Sequence, residues 1–372
     1  MKNKNINIVI TGDTHLGSER VCENALKCNV DNLLAEFLTV IQNSDLAITN
    51  IESPIIDQGE PSVKFGPHLK SPVDSLKVIK EAGFDLVTLA NNHIMDYGEE
   101  GLISTLDNCK RLGIETVGAG KNFSEASATK YCNLQGTNIA IINLCENEFG
   151  TASGNSCGSH PLDPIQNYYT IKETSNEADI VVVIVHGGHE MYPLPSPRMK
   201  KTYRYFVDSG ADVVVGHHTH CYSGYEVYKN SPIFYSLGNF LFDIGADHNK
   251  KGWNEGILLE LIFNNKKIDF ILHPYVQNRE ETGVFLLGKE EGKKFWENIK
   301  KLNQIIENDD KLNSSFKKYC KNSQRLYKYF IEPHSSRMIH FFQKKNVLPS
   351  FLKERKKYYY LIYFDANHIG IF

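Results

Sequence analysis

Five short motifs hold most of the side chains able to do chemistry. They are Asp13-Thr-His15, Asn50-Ile-Glu52, Asn91-Asn92-His93, His186 with His189 and Glu190, and His217-His218-Thr-His220. Carboxylate, amide and imidazole groups in this mixture suit borderline divalent metals such as Mn, Fe, Zn or Co better than Mg or Ca. So many candidate ligands, with one carboxylate to share, fit two ions about 3.5–4 Å apart, a pair able to hold a hydroxide nucleophile and bind phosphoryl oxygens for in-line attack at phosphorus. Each motif alone has an ordinary reading. Asp-x-His serves as a turn with a side-chain cap, Asn and Glu are common at strand ends, and Asn-Asn-His can satisfy its own backbone in a left-handed turn. In His-x-His, alternate residues of an extended chain simply point the same way. His186 is harder to dismiss, because it closes the unbroken Val/Ile run Ile180 to Val185 and a buried imidazole there needs a partner. The five motifs together, each at the end of an apolar run, point to a metal centre.

The elements that must carry these groups follow from the same runs. Ile6 to His15, Asp45 to Ser53, Phe84 to His93, Ala178 to Glu190 and Ala211 to His220 are rich in β-branched residues without alternation, as expected of strands covered on both faces. Between them, Asn32 to Asn43, Pro72 to Gly83, Glu99 to Gly113 and Met199 to Gly210 read as helices, three of them stopped by glycine. This alternation predicts βαβ units and a largely parallel sheet, whose ligand site lies outside the carboxyl ends of the strands. Two hairpins are predicted as well, Lys130 to Leu144 around Gln135–Gly136 and Gly256 to Gln277 turning at Asn264–Asn265, with their strands paired in a second sheet.

With 372 residues, the chain has room for two or three domains, or for one large α/β domain with an extension. A hydrophobic content of 41% with 23% charged residues is that of a globular protein with a substantial core. The net charge of −3 conceals an asymmetry. From Lys289 onward there are 18 Lys/Arg against 9 Asp/Glu, while the preceding residues carry 23 against 35. The expected organisation is therefore an α/β body at residues 1–285 and a basic, mostly helical extension at 286–372, with breaks at Pro333 and Pro349. Eight scattered cysteines without a CxxC pair read as reduced thiols. The apolar run before Gly12 is too short for a signal-peptide core and no long apolar run occurs elsewhere, so a cytoplasmic protein is expected, with peripheral membrane contact left open.

The order Asp-x-His, acidic segment, Asn-His, His, His-x-His resembles the calcineurin-like metallophosphoesterase superfamily. More closely, "NIESP", "LANNHIMDYGEEGL", "HGGHEMYPLPSPR", "DSGADVVVGHHTH" and "PIFYSLGNFLFD" resemble the CapA family, which is linked to poly-γ-glutamate capsule synthesis. The likeness runs from about Ile6 to Asp243. It implies a four-layer α/β/β/α sandwich with a dinuclear site between the sheet edges. It also implies Asp13, His15 and His220 on one metal, Asn92, His186 and His218 on the other, and Glu52 bridging. His93 would face substrate as a general acid or phosphate-orienting group. One position departs from the pattern: most of the superfamily has an aspartate in a Gly-Asp-x-x-Asp/Asn segment where this chain has Asn50-Ile51-Glu52, so Glu52 would bridge with one more methylene. The missing signal-like run also departs from CapA-like proteins, which are often exported or anchored, and suggests an intracellular step on a nucleotide-linked or phosphorylated precursor.

Several flanking residues receive roles by position. Glu190 is assigned to hydrogen-bond a ligand histidine or a substrate hydroxyl, and counts with His93 and Asn92 among the catalytic groups. Arg198 is a candidate for phosphate or carboxylate. Asn239, after another apolar run, is assigned beside the site as a substrate contact or turn cap. Asn50, His189 and His217 are assigned to support the ligands from behind, and Lys64 with Phe65 to a loop over the site. The function expected is hydrolysis of a phosphate ester by metal-bound hydroxide, with two divalent ions (Mn, Fe or Zn). The substrate would be a small molecule or polymer precursor bearing phosphate or carboxylate, used in making a capsule or other cell-surface polymer. Amide formation or γ-glutamyl transfer on the same metals is one alternative. Another is a non-catalytic assembly factor whose basic end, Lys353 to Lys357 followed by "YYYLIYF", contacts a synthase or an anionic membrane surface. Nucleic acid is not an expected partner, because the body is acidic and carries no reading motif.

Overall fold

The computed structural model describes residues 5–27, 29–64, 66–244, 250–264 and 267–331, and beyond these only 341, 342, 345 and 347. Phe65, Pro333, Pro349 and the Lys353 to Lys357 cluster with its aromatic run lie outside the described residues. The chain divides into two compact units, residues 1–316 and 317–372.

Four parallel strands, β1 (Ile6–His15), β2 (Leu46–Ile51), β3 (Leu86–Thr88) and β4 (Glu115–Val117), centre the first sheet. The chain returns between them through α1 (Glu19–Leu26), α2 (Val30–Gln42), α3 (Lys77–Ala82) and α4 (Gly98–Arg111). Local chemistry sets the helix ends. Ser18 accepts the Val21 N–H at the start of α1, and α4 has Glu99 and Glu100 in its first turn and Lys110 and Arg111 in its last, matching the helix dipole. Val9, Ala47 and Val87 meet the apolar faces of these helices, including Phe37, Ile79 and Leu102. Ile8, Ile10, Ile48 and Leu86 are equally buried on the opposite face, toward a second sheet. Burial on both faces is why these strands lack alternation.

A small ribbon, β5 (Ala119–Gly120) with β8 (Gly158–Ser159), and the short α5 (Phe123–Ala126) lie at the entry to that second sheet. The sheet's order is β11 (Tyr225–Tyr228), β12 (Ser231–Phe234), β10 (Val213–His217), β9 (Ile180–His186), β7 (Thr137–Cys145) and β6 (Lys130–Leu134). Its outer helices are α6 (Pro164–Glu177) and α7 (Pro197–Ser209), each opened by a capping side chain, Asp163 or Ser196, and a proline. Helices, sheet, sheet and helices make the four layers.

The first sheet is completed by β13 (Asn239–Phe242), parallel to the end of β1, and by β14 (Glu255–Asn264), β15 (Lys267–Gln277) and β16 (Val284–Leu286). Both expected hairpins form, and Gln135 and Gly136 turn the first with φ of 53° and 88°. They do not pair with each other, however: β6–β7 joins the second sheet and β14–β15 the first. A hairpin's alternation records how its faces are covered and says nothing about which sheet edge receives it. Between β12 and β13, residues 235–238 carry the chain from one sheet to the other. Here the backbones touch: the Asp13 N–H donates to the Gly238 carbonyl at 3.0 Å, and a Cβ on Gly12 would lie 1.9 Å from that oxygen.

After β16 come α8 (Lys289–Ile306) and α9 (Asp309–Ile331). Helix α8 buries Phe295, Ile299, Leu302 and Ile306, packs Phe295 on Tyr222 with ring centroids 4.7 Å apart, and accepts the Tyr225 N–H on Asn303 at 2.9 Å. The buried Lys200 of α7 donates to the Ile306 carbonyl and, at 2.7 Å, to Asp309. Although the basic extension was expected from residue 286, α8 thus packs as part of the body.

Candidate metal centre

The strand ends of both sheets meet at one place. β1 delivers Asp13, the end of β2 delivers Asn50 and then Glu52, and the turn after β3 delivers Asn91, Asn92 and His93. From the second sheet, β9 ends on His186, and the turn after β10 holds His218 and His220. Two groups of ligand atoms form, Glu52 with His186 and His218, and Asp13 with Glu52 and His220, each within 4.8 Å of one another and fully buried. His186 Nε2 lies 3.4 Å from Glu52 Oε1, 3.2 Å from His218 Nδ1 and 3.1 Å from Asn92 Oδ1. His220 Nε2 lies 3.6 Å from the same Glu52 oxygen.

Glu52 tests whether a metal fits. Its side chain is wholly buried, and neither carboxylate oxygen makes a hydrogen bond among the described residues. A carboxylate buried in this way is costly unless a cation meets it; without metal the His186 imidazolium, 3.4 Å from Oε1, serves, and a divalent ion would take over that task at the residue common to both groups. The oxygen and imidazole donors suit a borderline divalent ion. The residues present therefore fit a metal.

The surrounding bonds aim the ligands. Asp13 accepts from Asn50 Nδ2 at 2.7 Å and from the His218 N–H at 2.9 Å. Asn50 is held in turn by Thr88 and Asn91, both at 3.3 Å. Asn239 is fully buried; its Oδ1 accepts from His220 Nδ1 at 2.8 Å while its amide donates to the carbonyls of His220 and Trp253. That bond leaves His220 Nε2 toward the carboxylates, so the Asn239 side chain orients an imidazole and has its polar atoms spent there. His218 and His220 both adopt left-handed backbone, φ 85° and 54°, which turns each ring inward at a cost of about 1–3 kcal/mol apiece. His217 still belongs to β10 and joins neither group; among the described residues its ring makes no hydrogen bond of good geometry, its polar neighbour being the Thr11 backbone. His15 also joins neither group; among the described residues its buried Nδ1 has no hydrogen-bond partner, and its ring lies 5.2 Å from that of Phe242.

The electrostatics divide the histidines. Burial opposes charge on His186, but Glu52 and Asp13 override it and raise its pKa to about 10. His220 is raised in the same way, burial being outweighed by Glu52 and Asp13. Burial lowers His217 and His15 to about 4, and burial with the His186 charge drives His218 well below the usual range. For Asp13, burial works upward but the His186 bond and charge hold the carboxyl low.

His93 stands beside this cluster with its Nδ1 donating to Asp96 Oδ2 at 2.7 Å and lying 3.2 Å from Lys64 Nζ. Lys64 forms a close ion pair with the fully buried Asp96 and sits over the Phe149 ring at 5.3 Å. Asn92 donates to Glu148 at 2.8 Å. Glu190 is exposed, reaches His220 through its charge, and hydrogen-bonds no ligand histidine among the described residues. The His189 ring packs 5.2 Å from that of Phe316, and Arg198 is exposed in the first turn of α7, within electrostatic reach of Glu146. Asp96 and Glu148 were missed in the sequence. Asp96 stands three residues after His93, one turn on; Glu148 follows the apolar end of β7, where the strand-end rule applied to "INLCENE" finds it.

The fold and this buried carboxylate–imidazole cluster define a metallophosphoesterase-type α/β protein. More closely, the chain belongs to the family described as bacterial capsule synthesis protein PGA_cap, whose model matches residues 7–244. It is 33% identical over 258 residues to the capsule biosynthesis protein CapA of Bacillus anthracis, covering 67% of this chain and 62% of that one. It is 35% identical over 240 residues to the PGA biosynthesis protein CapA of Bacillus subtilis (strain 168), covering 63% and 62%. The chain thus spans less than two thirds of the length of these relatives. A hypothetical protein from Thermus thermophilus, solved as a crystal structure, overlays on 73% of this chain and 98% of its own with 17% identity and a TM-score of 0.46. Among the described residues no helix is long and apolar enough to cross a membrane.

Proposed function

We propose that the protein is a metal-dependent phosphoester hydrolase acting in the synthesis of a capsule or other cell-surface polymer, poly-γ-glutamate or polysaccharide. The observation that carries this reading is Glu52, a buried carboxylate common to both sets of ligands whose two oxygens make no hydrogen bond among the described residues. Asp13, Glu52 and His220 would hold one divalent ion, and Glu52, His186, His218 and Asn92 the second. Such ions supply Lewis acidity at a phosphoryl oxygen and an activated water. His93, its Nδ1 fixed by Asp96, would present Nε2 to the substrate and pass a proton to the leaving oxygen. Arg198, with Glu190 nearby in sequence, would meet a phosphate or carboxylate arriving from solvent. The polymer assignment rests on what the Bacillus relatives are named for.

The test is hydrolysis of generic phosphoesters by protein purified with added Mn, beside His93→Ala and His218→Ala. Activity should fall about 10²–10⁴-fold in His93→Ala and disappear with the bound metal in His218→Ala. Equal activity in all three proteins would overturn the hydrolase reading.

A further inference from the structure

Asn92 meets neighbours of opposite need. An amide can offer a metal its oxygen, whereas its NH2 group only donates. The Asn92 oxygen lies 3.1 Å from His186 Nε2, at the group formed by Glu52, His186 and His218, and the nitrogen donates to Glu148 Oε2 at 2.8 Å. We propose that Glu148 is a positioning residue: by accepting from Asn92 Nδ2, it turns the amide oxygen toward this group and makes Asn92 an oxygen ligand for the ion held there. The proposal rests on the metal reading above and adds a residue to it.

The reversed amide would meet repulsion on both sides. Its oxygen would face a carboxylate, which only accepts, and its NH2 would face the position of a cation. The loop that carries Glu148 is itself tied down. The Glu148 N–H donates to the Glu146 carbonyl at 2.8 Å, and the Glu146 N–H donates to the His186 carbonyl at 3.0 Å. The Glu146 carboxylate accepts the Gly188 N–H at 2.9 Å. One loop after β7 thus grips the backbone around His186, from the second sheet, and the amide of Asn92, from the first. Two ligands of one ion, delivered by different sheets, are registered by the same few residues. Glu148 is exposed, so its loss removes this bond without opening the core.

The experiment is calorimetric titration of the metal-free full chain with Mn, together with metal counted per chain after dialysis, for wild type, Glu148→Ala and Glu148→Gln. Glu148→Ala should weaken the ion at the Asn92 position about 10–100-fold, the usual effect of removing a bond that orients a ligand. Glu148→Gln should stay within a few-fold of wild type, because its carbonyl oxygen accepts the same bond. The unfolding midpoints of the metal-free proteins should coincide. If Glu148→Ala binds both ions as tightly as wild type, or Glu148→Gln is as weak as Glu148→Ala, the positioning role is overturned. A wild-type protein that binds no ion would instead overturn the metal reading, and this inference with it.

Discussion

His186 should surrender a proton when the centre takes up metal. The ring is 1% exposed, with Glu52 at 3.4 Å and Asp13 at 3.5 Å; burial disfavours its charge, but the two carboxylates prevail and lift the pKa from 6.5 to about 10. A metal-bound imidazole must be neutral. At about pH 7 the metal-free ring sits roughly three units below its pKa, so removing the proton costs about 4 kcal/mol of binding free energy. Metal affinity should therefore rise about tenfold per pH unit from this group alone and level off as pH nears about 10. The same proton stabilises the metal-free fold: because the folded pKa is the higher one, its contribution is full below 6.5 and lost as pH rises through about 10. Loaded protein has already released it and should lack this alkaline loss. Titrations of Mn into metal-free protein, in two buffers of different ionisation enthalpy, should show at least about one proton released per chain. Heats independent of buffer, with an affinity flat across this pH window, would refute the reasoning.

Four substitutions probe the frame. His217→Leu removes a buried ring that makes no hydrogen bond of good geometry among the described residues and should keep its metal with stability within about 1 kcal/mol of wild type, whereas His218→Leu should lose metal; metal counts with denaturant unfolding separate them. Gly12→Ala puts a methyl 1.9 Å from the Gly238 carbonyl oxygen, so β1 and β13 must part, lowering stability by about 1–3 kcal/mol and weakening metal uptake through Asp13. Lys200→Met leaves the Ile306 carbonyl and Asp309 without their donor; hydrogen exchange should speed up at the α8–α9 junction while metal content stays unchanged.

The strand-end motifs were legible because chain direction and layer order force carboxyl-end residues of a parallel sheet to one edge. Type and position alone gave a broader list of strand-end candidates, from which the resemblance chose Asp13, Glu52, Asn92, His186, His218 and His220, and these six side chains do converge. The role of Asn239 was not legible, because its neighbour His220 lies across a sheet-to-sheet crossing that no local pattern records. Lys64 was placed near the site, but its pairing with Asp96 depends on how a long loop folds back. The resemblance put His15 on a metal; the bulged end of β1 sets its ring beside Phe242, outside the two groups that Glu52 joins. The destination of each hairpin was hidden for a similar reason, since edge choice is a property of the assembled layers.

Neither sheet holds a complete set of ligands. Asp13 and Glu52 come from one, His186, His218 and His220 from the other, and both groups need members of each. A bound ion would therefore act as a rivet through the middle of the sandwich. A slip of one layer past the other by a single residue, about 3.3 Å, would pull every such contact out of reach. The centre works as a coincidence detector for folding: it can close only on a chain whose two halves have already found the correct alignment, and chelation removes a brace between layers along with a reagent.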